Sequence, residues 1–513
     1  MTDNSDSVYD VLVIGGGING AGIAHDAASR GLRVMLCEQS DLGSATSSAS
    51  SKLIHGGLRY LEYYEFKLVR EALKEREVLM RVARHLVRPM RFVLPHVGAM
   101  RPAWMIRIGL YLYDHLSRSI SLPRSYAVSL RSEWGQGLKP EFKRGFVYSD
   151  CWVDDARLVV ANAVSAHALG ADIRVRCEVT GAVCRNGVWI VTVRDTNTNT
   201  LHHHRSRTLI NAAGPWVSEV LRTLQGATSN NRVRLVKGSH IVVPRVHAGD
   251  HAFTLQNDDR RVVFVLPFED AYSLIGTTDT PVDAPTANNG ISDAEVDYLC
   301  AATSRYLARP VAAGDVIWTY SGVRPLFDDG ERDPSKVTRD YVLEMITTED
   351  GGPVLNVYGG KLTTYRHLAE TVVERLRPYF ARWRPSRTAT LALAGSDFDG
   401  VDPTDYYDEI QQGANWLAPA DLKGVLRRHG TRAEKVLESA TAVDDLGQRF
   451  GATLYQREVD FLIEHEWAQT GDDILWRRTK CGLHMSRTER ETVNRYVAQR
   501  SGSVATVCAN ISS

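Results

Sequence analysis

The hydrophobic pattern changes period several times along the chain, and each change marks an element. Residues 10–14 (DVLVI) form a short apolar run that breaks off at Gly15. Such a run, bounded by a turn signal, reads as a buried parallel strand. From 18 to 30 the spacing becomes helical, and Gly31 stands where a left-handed residue would end the helix. The run RVMLCE (33–38) predicts the next strand, so the opening unit is strand, turn, helix, strand. Two strand-to-turn transitions of similar type recur downstream, TLINAAGPW (208–216) and NVYGGKLTTYRHLAE (356–370). Before the first of these, residues 186–210 alternate around TNTNT and predict a hairpin with a polar turn. Short β-like runs dominate 226–317, among them SHIVVP, RVVFVLP and YSLIGTT. Residues 291–307 break that pattern as a helix opened by a capping box of Ser292 and Glu295. Beyond about 390 the chain turns helical and charged, and Ser486 with Glu489 opens a further helix the same way. No internal repeat or long low-complexity tract is visible.

Length and charge narrow what this pattern can build. A chain of 513 residues is too long for one core and implies two or three domains. Lys+Arg and Asp+Glu number 61 each, so no global charge drives nucleic-acid binding, and cationic chemistry must be local. Cysteines at 37, 151, 177, 184, 300, 481 and 508 show no paired spacing, which fits reduced thiols in a cytosolic setting. The start, MTDNSDSVYD, lacks the basic and apolar regions of a secretory signal. No apolar run reaches the roughly 18–20 residues that span a bilayer; the nearest, 104–116, is short and contains Arg107. The protein is therefore expected not to cross a membrane, with contact at its surface left open. His202, His203 and His204 sit on a strand, where neighbours face opposite ways, and no metal is expected.

The most specific chemistry lies in the first forty residues. Gly15, Gly17 and Gly20 give G-x-G-x-x-G between a strand and a helix. The first glycine permits the turn, the second lets a pyrophosphate approach the backbone, and the third lets the helix pack on the strand. The positive helix end faces the phosphates. Glu38, closing the second strand, accepts from a ribose diol and repels the extra phosphate of NADP. The later glycine turns favour FAD over NAD, because their amides are free to face a flavin.

The segments GGGINGAGIAHDAASRG, ATSSASSKLIHGGLRYLE, YSDCWVDDARLV, NAAGPW, KGSHIVVPR, IGTTD, TYSGVRPL, TRDY and GGKLTTYR occur in this order. DLGQRFG and WRRTKCGLHM extend the series toward the C-terminus. Together they resemble the aerobic, FAD-dependent sn-glycerol-3-phosphate dehydrogenases of bacteria, in the D-amino-acid-oxidase-like flavoprotein superfamily. The resemblance implies an α/β fold: an FAD-binding Rossmann-like domain interleaved with an antiparallel-sheet substrate domain, then a C-terminal helical domain. The boundaries expected are 1–62, 150–225 and 318–389 for FAD, 63–149 and 226–317 for the substrate or cap domain, and 390–513 for the helical domain.

By the same resemblance, Gly15, Gly17, Ile18, Asn19, Gly20 and Glu38 hold FAD, joined by Gly214, Trp216, Leu362 and Thr363. Thr46, Ser47 and Ser48 line its pyrophosphate and ribityl side, and Ser51, Lys52, Leu53 and His55 approach the ring. Arg59, Tyr60, Arg324 and Arg339 are the substrate contacts expected, arginine being suited to phosphate by its planar fork. Oxidation at C2 of glycerol 3-phosphate, giving dihydroxyacetone phosphate, also needs a base for the hydroxyl proton. His55 and His240 are both candidates, with Lys361 as a nearby cation. The electron acceptor implied is a membrane quinone. Residues 88–125, which mix Arg88, Arg91, Arg101, Arg107, Arg118 and Arg124 with Trp104, Tyr111 and Tyr113, are the contact surface expected on the cytoplasmic face. A homodimer is left open. The competing readings are an oxidase that passes electrons to O2, an amine-oxidising relative, and a non-catalytic FAD-binding protein.

Overall fold

The computed structural model describes residues 8–97, 102–117, 121–259, 261–285, 290–328 and 340–511, with side chains to 500. Its first sheet has eight strands. Val8–Ile14 is central, parallel to Val34–Cys37 on one side and Leu201–Asn211 on the other. Pro353–Tyr358 adds in parallel beyond Leu201–Asn211. These strands are buried on both faces, and alternation divides them cleanly. Val11 and Val13 pack with the helices Ile18–Ser29, Asp155–Ala168 and Tyr365–Arg375. Leu12 and Ile14 pack with Trp189 and Val191 of a hairpin and with Leu221. The hairpin strands Val188–Asp195 and Leu201–Asn211 pair antiparallel across the polar turn, as the alternation predicts.

The second sheet has ten strands, mostly antiparallel. Phe253, Val265 and Ile275 pack on one face against Leu299 of the helix Asp293–Ser304. That helix carries the expected capping box, with both reciprocal bonds formed between Ser292 and Glu295. Phe92, Leu94 and Tyr148 pack with Val69 and Leu73 of Phe66–Val82 and with Leu110 and Tyr113 of Ala103–His115.

Sheet pairing differs from three of the expected boundaries. Trp318–Phe327 pairs with Val233–Pro244 from Trp318 to Phe327, so 318 opens a strand of the second sheet, not of the FAD domain. Arg144–Val153 runs through the boundary at 150, and Leu53–Ile54 also joins this sheet. A strand's hydrogen bonds go to partners distant in sequence, so a change of sheet leaves no local signal.

The expected surface at 88–125 is also divided. Val87–Pro95 is an internal strand paired with Arg144–Val153 and Ala252–Gln256. The Arg88 guanidinium lies 4.5 Å from the Trp152 ring centre, and Arg91 donates to the Pro123 carbonyl at 3.0 Å. Arg107 donates to the Ser125 carbonyl at 2.9 Å, and Arg101 and Arg118 lie outside the described residues. Among the described residues of this stretch, only the Ala103–His115 helix offers apolar surface of the expected kind, and it is apolar on two faces. Leu110 and Tyr113 are buried, whereas Trp104, Ile108 and Tyr111 are 63%, 52% and 56% exposed. No helix among the described residues is long and apolar enough to cross a membrane.

The C-terminal helices Pro403–Gly413, Pro419–His429, Gln456–Glu466 and Arg487–Ile511 enclose a separate core. Charges dock them onto the first sheet's helices and loops. Arg157 forks onto buried Glu466, Arg478 donates to Asp41 at 2.5 and 2.8 Å, and Lys480 reaches Asp154 at 3.0 Å. Burial works to raise the Glu466 carboxyl, but Arg157 and Arg432 outweigh it and hold it well below the usual range. Arg428 and His429 likewise hold Glu458 at about 2 against its burial.

Both folded values lie below the unfolded ones, so this stability is present above the ordinary carboxylate range and is lost as pH falls through the folded values. Thermal melts at successive pH values should show the C-terminal domain loosening between about pH 5 and 2. Glu466→Gln at neutral pH strands two cations and should destabilise by about 3–5 kcal/mol. An unchanged melting temperature in that variant would sink the role given to this pair.

Candidate active site

The turn after Val8–Ile14 is shaped by close contacts that only glycine tolerates. Gly15 has φ +109°, and a Cβ there would sit 2.6 Å from the Ala212 carbonyl oxygen. At Gly20 a Cβ would sit 1.8 Å from the Gly15 carbonyl oxygen, so the third glycine serves helix packing as its spacing predicts. The helix begins at Gly17 with no side-chain cap, leaving its positive end toward the cavity. Glu38 accepts from the Gly16 and Ser40 amides at 2.7 and 2.8 Å. Burial raises its carboxyl above the usual range against the pull of those amides. Asn19 donates to the Gly359 carbonyl at 3.1 Å, and its buried Oδ1 has no partner among the described residues.

Three parallel strands end here: Val8–Ile14, Leu201–Asn211 and Pro353–Tyr358. Ligands of open α/β sheets bind beyond such carboxyl ends. A cavity of about 1250 Å³ opens there, lined by Gly15, Gly17, Ile18, Asn19, Glu38, Gly214, Trp216, Lys361, Leu362 and Thr363. It continues over the second sheet to Phe92, Tyr148, His240, Thr254, Phe264 and Arg324.

Residues 46–60 run along this cavity, but not every polar side chain faces it. Ser47, Ser51, Leu53, His55, Arg59 and Tyr60 line it as expected. Lys52 does not. Its φ is +55°, and its buried ammonium lies 2.6 Å from Asp155 and 3.1 Å from the Ser48 carbonyl. Burial lowers its pKa, with Asp155 opposing. Lys52 thus holds the loop from behind rather than meeting a cofactor. Thr46 lines the cavity, but its hydroxyl donates to the Val323 carbonyl at 2.6 Å. Ser48 is outside the lining, its hydroxyl turned to the Ala45 carbonyl. Ser47 meets the nucleotide turn by accepting the Ile18 amide at 2.9 Å.

At the far end the loop meets the second sheet through Ser51 and His240, whose Oγ and Nε2 are 2.9 Å apart. His240 Nδ1 is buried with no partner among the described residues. Gly276 makes room for the ring, since a Cβ there would lie 2.0 Å from His240 Cδ2. Burial, with the cations Arg324 and Lys52, holds the imidazole well below its usual pKa. His55 is lowered too, by burial and the charges of Lys361 and Arg76, against Asp150. Both histidines are therefore neutral at pH 7. Lys361 lies 3.9 Å from the Tyr60 ring centre, and Arg59 stands 6.0 Å from that of Tyr63. Arg324 pairs with Asp279 and donates to Thr277 Oγ1 at 3.0 Å. Arg339 lies outside the described residues. Asp279, Thr277, Gly276 and Tyr320 were not singled out from the sequence. The first three fall within IGTTD and Tyr320 within TYSGVRPL, both segments of the resemblance, and that was the signal available for them.

Residues 10–366 match the family described as FAD dependent oxidoreductase. The chain belongs to this family. Its cofactor is FAD, and the site fits: a helix end capped by a bare glycine, an acid at the second strand, a buried amide oxygen without a partner among the described residues, and a cavity spanning both sheets. Residues 386–501 match the C-terminal domain of alpha-glycerophosphate oxidase. Among curated proteins the chain is 47% identical over 490 residues to the aerobic glycerol-3-phosphate dehydrogenase of Escherichia coli K12, covering 96% of this chain and 97% of that one. It is also 47% identical to the D-erythritol 1-phosphate dehydrogenase of Brucella abortus, over 94% of this chain and 96% of that one. Among solved structures it is similar to the glycerol-3-phosphate dehydrogenase from Bacillus halodurans complexed with FAD, at 26% identity and a TM-score of 0.78, covering 97% and 92% of the two chains.

Glu38→Ala removes the acid at the second strand. The purified variant should retain less flavin per chain, measured by its visible absorbance against protein. Full occupancy would place the ribose contact elsewhere.

Proposed function

We propose that this flavoprotein oxidises sn-glycerol 3-phosphate to dihydroxyacetone phosphate and delivers the electrons to a membrane quinone. The observation that carries the reading is the joining of a dinucleotide cavity to a cationic end holding Arg59, Arg324 and Lys361, with two neutral histidines beside them. The relatives' names supply the substrate, at 47–48% identity over nearly the whole chain.

In this reading Arg59 and Arg324 hold the phosphate, Arg324 being kept in place by Asp279 and Thr277. When bound, FAD supplies the acceptor for the hydride that leaves C2. His240 takes the C2 hydroxyl proton. It is preferred to His55 because Ser51 fixes its Nε2 while Nδ1 remains unpartnered. Lys361 adds positive charge beside the reacting groups.

Anaerobic addition of glycerol 3-phosphate should bleach the flavin, and glycerol should not. Faster bleaching by D-erythritol 1-phosphate would replace the substrate, and rapid reoxidation by O2 would replace the acceptor. Arg59→Ala and Arg324→Ala should each raise KM more than about tenfold, since truncating a buried charged contact costs about 2–5 kcal/mol. KM within twofold in both would move the phosphate site.

The quinone surface in this reading is the outer face of Ala103–His115. Met105, Ile108 and Leu112 line the cavity mouth together with Tyr63, Tyr64 and Phe66, so the apolar face is continuous with the cavity entrance. Headgroup attraction is screened by salt but apolar insertion is not. Replacing Trp104, Ile108 and Tyr111 with serine should abolish salt-resistant binding to phosphatidylglycerol vesicles. Quinone reduction should fall with it while soluble-dye reduction persists. Loss of dye reduction as well would mean that the face is core.

A further inference from the structure

His240 is the inner end of a file of stacked rings that leaves the second sheet and enters the C-terminal domain. Its imidazole stacks on Tyr320, with centroids 4.8 Å apart and planes at 18°. Tyr320 meets Trp318, two residues earlier on the same strand face, at 5.1 Å. Trp318 stacks on Trp476 at 5.0 Å and 14°. Tyr320, Trp318 and Trp476 do not line the cavity, so none of the three acts on a ligand directly.

The segment that presents Trp476 is anchored elsewhere. Within Asp473–Arg478, Asp473 accepts from Arg176 at 3.0 and 3.1 Å, and Arg478 grips Asp41 at 2.5 and 2.8 Å. Both partners belong to the flavin-binding half. The segment that carries the indole is thus pinned to the flavin-binding half while the indole presses on the second sheet, which the C-terminal domain also meets through Arg427 to Glu269 and Tyr272 to Leu483. One side of the His240 ring packs directly against Gly276, and among the described residues the ring hydrogen-bonds only to Ser51. Tyr320 closes the other side. Its hydroxyl is tethered to the Ser50 carbonyl at 2.8 Å, and its ring leans on Trp318.

We propose that Trp476 is a positioning residue for His240, acting through Trp318 and Tyr320, so that the C-terminal domain completes the geometry of proton removal. This rests on the reading of His240 as the base. A side chain that takes a proton in the transition state must be held within a fraction of an ångström, and small misplacements made at a distance are expensive in rate. Flat aromatic rings in offset contact transmit position well, because they pack without rotameric slack.

The test uses full-length flavin-loaded enzyme carrying Trp476→Ala, Trp476→Phe, His240→Asn and the Trp476→Ala/His240→Asn pair. Flavin reduction by glycerol 3-phosphate is followed without oxygen, separating the limiting rate from substrate affinity. Trp476→Ala should slow the limiting rate by about tenfold or more, on the scale of distant misplacement, with affinity changed less than about twofold. Trp476→Phe, which keeps a flat ring, should recover most of it. In the His240→Asn background Trp476→Ala should add less than about twofold, since two residues acting through one group do not add. A second readout needs no turnover: His240 should be carbethoxylated by diethyl pyrocarbonate several-fold faster in Trp476→Ala than in the parent, by peptide mass mapping. If Trp476→Ala fails to keep flavin, Trp476→Leu, which retains apolar bulk without the ring, carries the same expectations. A limiting rate within about twofold of the parent, or losses that multiply in the paired variant, would overturn the proposal. An unaffected rate in His240→Asn alone would instead remove His240 as the base, and this inference with it.

Discussion

The site depends first on one buried ion pair, between Lys52 and Asp155. Neither charge could be buried alone, since stranding one costs several kcal/mol. Asp155 also accepts from the Ser50 amide and hydroxyl and from the Ala156 amide, at the positive end of its own helix. Lys52 in turn enters with a left-handed backbone and spans back to the Ser48 carbonyl. With residue 52 fixed behind the loop, 51, 53 and 55 are carried to the opposite side, along the cavity. The same loop passes Leu53 and Ile54 into the second sheet. One pair of charges thus aligns the nucleotide turn, the loop and the sheet that holds His240.

What could be read from the sequence follows how local each cause is. The first strand, helix and second strand, the two capping boxes and the polar hairpin turn are set by neighbours within a few residues, and all stand where their spacing predicts. The cavity residues Gly15, Glu38, Ser51, His55, His240 and Arg324 were legible for the same reason or from the family likeness. Lys52, Ser48 and the hydroxyl of Thr46 were misread because residue type shows that a group needs a partner, not which partner it finds. Arg88 and Arg91 were misread for a related reason. An amphipathic mixture of arginine and aromatic residues looks alike whether the guanidinium meets a headgroup or stacks on Trp152. That Tyr320 stands opposite His240 becomes visible only once the register of Val233–Pro244 against Trp318–Phe327 is known.

The charge balance is equally uneven in space. Lysine plus arginine equals aspartate plus glutamate over the whole chain, yet Lys52, Arg59, Arg324 and Lys361 gather on or just behind the cavity wall. Asp155 and Asp279 neutralise two of them. Burial, with Arg324 and Lys52 near His240 and with Lys361 and Arg76 near His55 against Asp150, keeps both imidazoles uncharged. Burial and nearby cations thus act in the same direction on both imidazoles.

The first sheet's strand order has a consequence for biosynthesis. Val8–Ile14 lies at the centre of the sheet, but one of its two neighbours, Leu201–Asn211, is nearly two hundred residues later, and that neighbour is completed by Pro353–Tyr358. At about 5–20 residues per second, a ribosome delivers Leu201–Asn211 about 10 to 40 seconds after Val8–Ile14. For that interval the nascent βαβ unit exposes an unpaired apolar strand edge, the kind of surface that invites pairing with other chains. The molecule therefore acquires its central strand first and protects it late, and a holdase acting on the emerging chain would meet its need between those two moments.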